Sequence, residues 1–193
     1  MKQDTMPASV ALSIVYVTET LLDRTAALLA SFAKFAPREG VVYWFGLEGD
    51  KLAVVTTLVV PDADTSAGDV VTSAGANAEA LTAIVDTPLV LLGQAHSHPG
   101  SHVRHSDVDD CATFAQSPGV LSVVVPYFGF YGADIARCGV HRHLEGAYRW
   151  IAPKQISEHL VVIPGVRDFR REVPAEPERS AQQPSLRSAG SVA

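Results

Sequence analysis

The apolar positions of this chain change period several times, and each change marks an element. Residues 10–17, "VALSIVYV", form a short β-branched run that predicts a strand. Thr18 or Thr20 is placed to cap a helix, and Thr20 with Asp23 resembles a capping box. From there to Ala36, Leu21, Leu22, Leu28, Leu29, Phe32 and Phe35 fall on one helical stripe, which Pro37 ends. "GVVYWFGL" (40–47) and "KLAVVTTLVV" (51–60) flank the turn residues "EGD" and predict a hairpin.

Residues 61–73 are rich in Asp, Thr, Ser and Gly and read as a loop, and 74–85 as a helix. "TPLVLLGQAHSH" is an apolar strand running directly into histidines, followed by a helix over 106–115 and the turn "SPG". "VLSVVVPYF" is another buried strand. "ARCGVHRHL" and "GAYRWIA" predict a last hairpin, joined through Glu145 and Gly146. Strands and helices mix, so the expected class is α+β or a mixed-sheet α/β sandwich. One domain spans 1–164. Beyond Pro164 the chain turns to Arg, Glu, Pro, Ser and Gln, too polar to offset the entropy of ordering, so 165–193 is expected to be a disordered tail.

Composition narrows the function classes. A net charge of −6 gives no support for a nucleic-acid binder. No apolar run reaches the roughly 20 residues of a membrane span. Lys2 before "VALSIVYV" resembles the start of a signal peptide, but Asp4 and Glu19 bracket that run and no small-residue cleavage site comes after it. Cys111 and Cys138 are too few for a disulfide framework, which makes a reducing cytoplasm the expected compartment. They also exclude a four-cysteine zinc site, so a metal would rest on nitrogen and oxygen ligands.

One stretch changes the picture. "AHSHPGSHVRHSDVDDC" (95–111) gathers four histidines and three aspartates in a chain that is otherwise apolar. On a strand, residues two apart share a face, so His96 and His98 present two imidazoles side by side. Asp109 arrives on the first turn of the next helix, with ten residues between it and His98. Two histidines and a carboxylate leave a fourth corner for water, the pattern of a catalytic Zn²⁺ site. Read alone, Ser106 and Asp109 make an N-cap with a reciprocal acid, and an isolated H-x-H is a surface pair. The two pieces together, at this spacing, favour the ion, and the Ser106 hydroxyl can cap the helix and still face the metal's water. His102, His105, Asp107 and Asp110 compete as ligands. They read as solvated, substrate-facing or supporting side chains.

His96-Ser97-His98-Pro99 and then Ser106-Asp107-Val108-Asp109, with Gly93 before the histidines, resemble the bacterial type of the JAMM/MPN (JAB-domain) zinc metalloprotease family. The resemblance covers most of 10–152. It implies a cytidine-deaminase-like three-layer sandwich, a mixed sheet flanked by helices. It also supplies a general base. The family's P-x-E…G pattern falls on Pro37-Arg38-Glu39, with Gly46 seven positions on, whereas Glu39 on residue pattern alone would be a solvated loop residue. Glu48 is a rival, but "LEGDK" reads as an exposed turn. The stretch "GVVYWFG" is bulkier than the family's small aliphatic one.

The resemblance implies amide hydrolysis, with zinc on His96, His98 and Asp109, Glu39 as base and Ser106 as donor to the oxyanion. The implied substrate is the C-terminus of a ubiquitin-like protein or its conjugates, with E1-like and E2-like proteins as possible companions and no nucleic acid or membrane. Alternatives are a zinc hydrolase of a small carrier-protein adduct and a non-catalytic MPN scaffold. A nucleobase deaminase would need H-x-E and P-C-x-x-C, and neither cysteine belongs to a C-x-x-C.

Overall fold

The computed structural model describes residues 13–112 and 116–166. The chain opens with β1 (Ile14–Thr18), α1 (Glu19–Phe32), β2 (Val41–Glu48) and β3 (Leu52–Val59). A two-residue ribbon, β4 (Asp64–Thr65) and β5 (Val70–Val71), precedes α2 (Ala74–Thr82) and β6 (Val90–Ser97). Then come α3 (Asp107–Ala112), β7 (Leu121–Val125), β8 (Gly139–Leu144), β9 (Ala147–Trp150) and β10 (Leu160–Ile163). Eight strands form one mixed sheet in the order β10-β1-β3-β2-β6-β7-β8-β9. The β2–β3 and β8–β9 hairpins are antiparallel, whereas β6 and β7 run parallel. The mixed α/β class expected from the sequence is the class adopted.

β2 explains the layering. Its first six residues are all buried because both faces of the sheet are covered. Val42 and Trp44 point into a core with Leu22, Ala26 and Leu29 of α1. Val41, Tyr43 and Phe45 point the other way, against Ala80 of α2. The Tyr43 hydroxyl donates to Asn77 Oδ1 at 2.7 Å and ties α2 to the sheet.

Several sequence expectations need correction. Thr18 caps α1, its hydroxyl accepting from the Leu21 N–H at 3.2 Å, so the Thr20–Asp23 box is not used. The helix ends at Phe32, and Phe35 lies off the stripe at 92% exposure. Pro37 closes the helical region to Ala36, and the chain turns away before reaching it. The expected loop 61–73 contains the β4–β5 ribbon. α2 stops at Thr82, three residues short. The strand "VLSVVVPYF" ends at Val125, and Tyr127 and Phe128 then take left-handed φ of 54° and 55°. Residues 153–164, where the sequence pattern predicts no element, carry β10, which pairs parallel with β1. Residues 10–12 of the first strand, 113–115 of the third helix and 167–193 of the expected tail lie outside the described residues. No helix among the described residues is long and apolar enough to cross a membrane.

Candidate metal centre

The site forms where β6 ends. His96 pairs laterally with Val41 on β2 and Val124 on β7, and so faces away from α1. His98 lies one residue past the strand, held by its N–H to the Val125 carbonyl at 2.9 Å. α3 approaches from a loop. The Asp109 N–H donates to Ser106 Oγ at 3.1 Å while the Ser106 N–H and hydroxyl reach Asp109 Oδ2 at 2.6 and 2.9 Å. This is the reciprocal cap expected from the sequence, with the acid also turned toward the histidines.

His96 Nε2 lies 3.3 Å from His98 Nε2 and 3.4 Å from Asp109 Oδ1. His98 Nε2 is 3.3 Å from Asp109 Oδ2. Ligands about 2.0–2.1 Å from a tetrahedral ion stand about 3.3 Å apart along each edge. Proton bookkeeping points the same way. His98 Nδ1 faces the His102 carbonyl at 2.9 Å, which can only accept, so the proton sits on Nδ1 and the Nε2 lone pair is directed inward. The His98 lone pair, the His96 Nε2 nitrogen and the Asp109 carboxylate therefore converge on one point, a donor set suited to a cation. Without an ion the cluster draws a proton in its place. Burial works against a charged His98, but the Asp109 carboxylate and the His102 carbonyl outweigh it and raise its pKa. Burial likewise works against a charged Asp109, yet the bonds to His96 and His98 hold it well below the usual carboxylate range.

Glu39 is brought to this cluster by a stitch between two loops. The Gly40 N–H donates to Ser97 Oγ at 3.0 Å, and the Ser97 N–H donates to the Gly40 carbonyl at 3.1 Å. Ser97, between the two histidines, faces the opposite side of the sheet and fastens the residue after Glu39. The Glu39 N–H donates to the Ser66 carbonyl at 2.8 Å, which seats the β4–β5 ribbon beside it. Glu39 is 3% exposed. Burial pushes its pKa up to about 7, His98 opposes the shift, and the carboxylates of Asp109 and Asp69 add to it. A carboxyl that shares protons near neutrality is matched to general-base work.

The rival residues separate cleanly. His102 and Asp107 are exposed, though the His102 carbonyl orients His98. Glu48 lies at the far end of β2, near Ser13. His105, expected in a loop without direction, has a side chain only 4% exposed. It bonds Asp110 Oδ1 at 2.8 Å and Ser122 Oγ at 2.9 Å, and its ring stacks on His141 at 3.8 Å. Burial lowers the pKa of both rings, His141 to about 3, so both are neutral. Sequence reasoning missed Ser97, Ser122 and His141. For His141 the signal was the consecutive polar run His141-Arg142-His143 inside "GVHRHL", where a buried strand would carry aliphatics; for the two serines there was none.

No family model matches the chain. It is 34% identical over 130 residues to a probable metalloprotease of Sinorhizobium fredii, an alignment covering 65% of this chain and 79% of that one. The chain belongs to the JAMM/MPN metalloprotease family. The fold is shared with a protein of Desulfitobacterium hafniense determined in solution, at 16% identity and a TM-score of 0.59, over 78% of this chain and 94% of that one. A JAB1/MPN domain protein of Archaeoglobus fulgidus aligns over 77% of this chain and 98% of its own, with 16% identity and a TM-score of 0.42. Membership in this family makes the chain a metal-dependent hydrolase. His96, His98 and Asp109 are the one group of three potential ligands that converges among the described residues.

Proposed function

We propose that this metallohydrolase is a zinc-dependent peptidase that cleaves an amide bond at the C-terminus of a ubiquitin-like protein, in a bacterial cytoplasm. The observation carrying the reading is the convergence of His96, His98 and Asp109 at tetrahedral edge distances, with the buried Glu39 beside them. A zinc ion there would polarise the scissile carbonyl and lower the pKa of a water toward about 7. His96, His98 and Asp109 would hold the ion, with the His102 carbonyl keeping the His98 lone pair aimed at it. Glu39 accepts the proton of the attacking water on its carboxylate and returns it to the leaving amine. The Ser106 hydroxyl, which at rest donates to Asp109 Oδ2, turns to the carbonyl oxygen as charge develops there, a contact worth about 10²–10³ in rate. An extended C-terminal tail is the substrate form that fits, because its backbone can pair with a sheet edge on the way to the ion. E1-like and E2-like proteins are the expected partners of such a pathway.

The test is a ubiquitin-like protein carrying a C-terminal extension, offered to zinc-loaded enzyme. Wild type should cleave at the junction, and Glu39→Gln should keep zinc while losing at least about 10²-fold in kcat. Asp109→Ala should lose the metal itself. Cleavage by Glu39→Gln at the wild-type rate would remove the base from the mechanism.

A further inference from the structure

The geometry points to His105 as a positioning residue that clamps α3 to the sheet and so sets where Asp109 meets His96 and His98. The inference rests on the proposed metal centre and deepens it.

The need for a clamp arises from α3 itself. Its described part, Asp107–Ala112, supplies one of the three ligands. Asp107, Val108 and Asp110 are exposed and Asp109 only partly covered, so no described side chain of this helix is buried in a core. Among the described residues, what fixes it to the sheet is the loop before it, where three successive residues dock. At Val103 the backbone crosses β8 so closely that a Cβ on Gly139 would collide with its carbonyl oxygen. The Arg104 guanidinium lies 4.7 Å over the Trp150 ring on β9. The His105 N–H donates to His141 Nε2 at 3.3 Å.

Of the three, His105 also reaches forward into the helix. Its Nδ1–H donates to the Asp110 carboxylate, and its Nε2 accepts the Ser122 hydroxyl from β7. Ser122 and His96 share a face of adjacent parallel strands, two positions apart in register. One imidazole therefore connects the residue after Asp109 to the strand beside His96, and its ring centroid stands 5.5 Å from that of His96. His96 needs such a neighbour more than His98 does, because His96 Nδ1 has no hydrogen-bond partner among the described residues. The Asp110–His105–Ser122 row resembles a nucleophilic triad in order, but Ser122 is fully buried and no substrate can reach it.

Both ends of the clamp can be cut gently. Ser122→Ala removes one hydroxyl, and Asp110→Ala alters an exposed side chain. Zinc affinity is measured by competition with a chromophoric chelator, the cobalt(II)-substituted protein is examined by visible absorption, and the Tm of metal-free protein is recorded. Each variant should bind zinc about 10–100-fold more weakly and change the cobalt spectrum. The metal-free Tm should stay close to wild type for Asp110→Ala and fall by a few degrees for Ser122→Ala, which strands the buried His105 Nε2. Asp110→Asn, which keeps an acceptor for Nδ1–H, should restore affinity to within about threefold. Wild-type affinity in both alanine variants overturns the clamp. So does an asparagine variant as weak as the alanine one, which would mean that Asp110 acts by charge. Failure of wild type to bind zinc at all would instead overturn the metal centre, and the clamp with it.

Discussion

Strands β6, β7 and β8 show two chemistries on alternate residues. Ala95, Val123 and Val140 face α1 in a mainly apolar core, where the one charged side chain of β8, Arg142, is buried against the Gly119 and Ser13 carbonyls. Their immediate neighbours His96, Ser122 and His141 face the other way and are just as buried, but each carries a polar ring or hydroxyl. The first face is held by apolar area removed from water, a graded and non-directional contribution. The second is held by partner matching, where a missing group leaves a buried donor or acceptor unsatisfied. The same β-strand period therefore yields a scaffold on one side and a pre-arranged reactive site on the other. The two faces should fail in different ways.

The largest expected effect lies on the apolar face. Trp44 is fully buried, with its indole N–H on Thr25 Oγ1 at 3.2 Å, and Trp44→Ala should cost about 3–5 kcal/mol of stability. Zinc affinity of the molecules that remain folded should stay within about threefold. A parallel loss of affinity and stability would mean that the two faces are not separable. Next in size is the metal itself. Zinc at a hundred times its Kd should raise the unfolding free energy by about 2.7 kcal/mol, seen as a higher Tm that chelation reverses. His96→Ala should abolish that increment, so that its Tm is the same with and without zinc even though the lost buried ring lowers both. Zinc stabilisation that survives His96→Ala would place the ion elsewhere.

Legibility in the sequence depends on covalent distance. His96, His98, Ser106 and Asp109 lie within one short stretch, so the strand period and the helix cap specify their directions locally. Glu39 is different. It is buried only because Ser97 and Ser66 catch its neighbouring backbone, and neither partner is visible from a glutamate after a proline. Family resemblance located it where residue pattern alone did not. His105 fared worst, since its partners come from α3, β7 and β8 and a lone loop histidine reads as solvated. β10 escaped for a related reason: four residues have too little pattern to show a parallel partner far back at β1. Phe35 erred in the other direction, because helical spacing continued past the point where the backbone had turned.

The smallest expected effect separates Glu39 from its surroundings. In the metal-free protein its carboxyl has a pKa of about 7 against an ordinary 4.5, with burial as the main cause. The folded state therefore holds this proton more tightly than the unfolded chain does. The stabilisation is fully present below pH 4.5 and is lost as pH rises through 7, because an ionised carboxylate must then stay beside Asp109 and away from water. Glutamine has no proton to lose. Glu39→Gln should therefore match wild type in Tm near pH 4 and exceed it near pH 8 by roughly 2–4 °C, the shift that about 1 kcal/mol makes in a domain of this size. Both proteins must be stripped of metal, since a bound cation would stabilise the charged carboxylate and erase the difference. Equal Tm at both pH values would mean that Glu39 is better hydrated than its buried position implies. The polar face would then hold Glu39 by solvent rather than by fit.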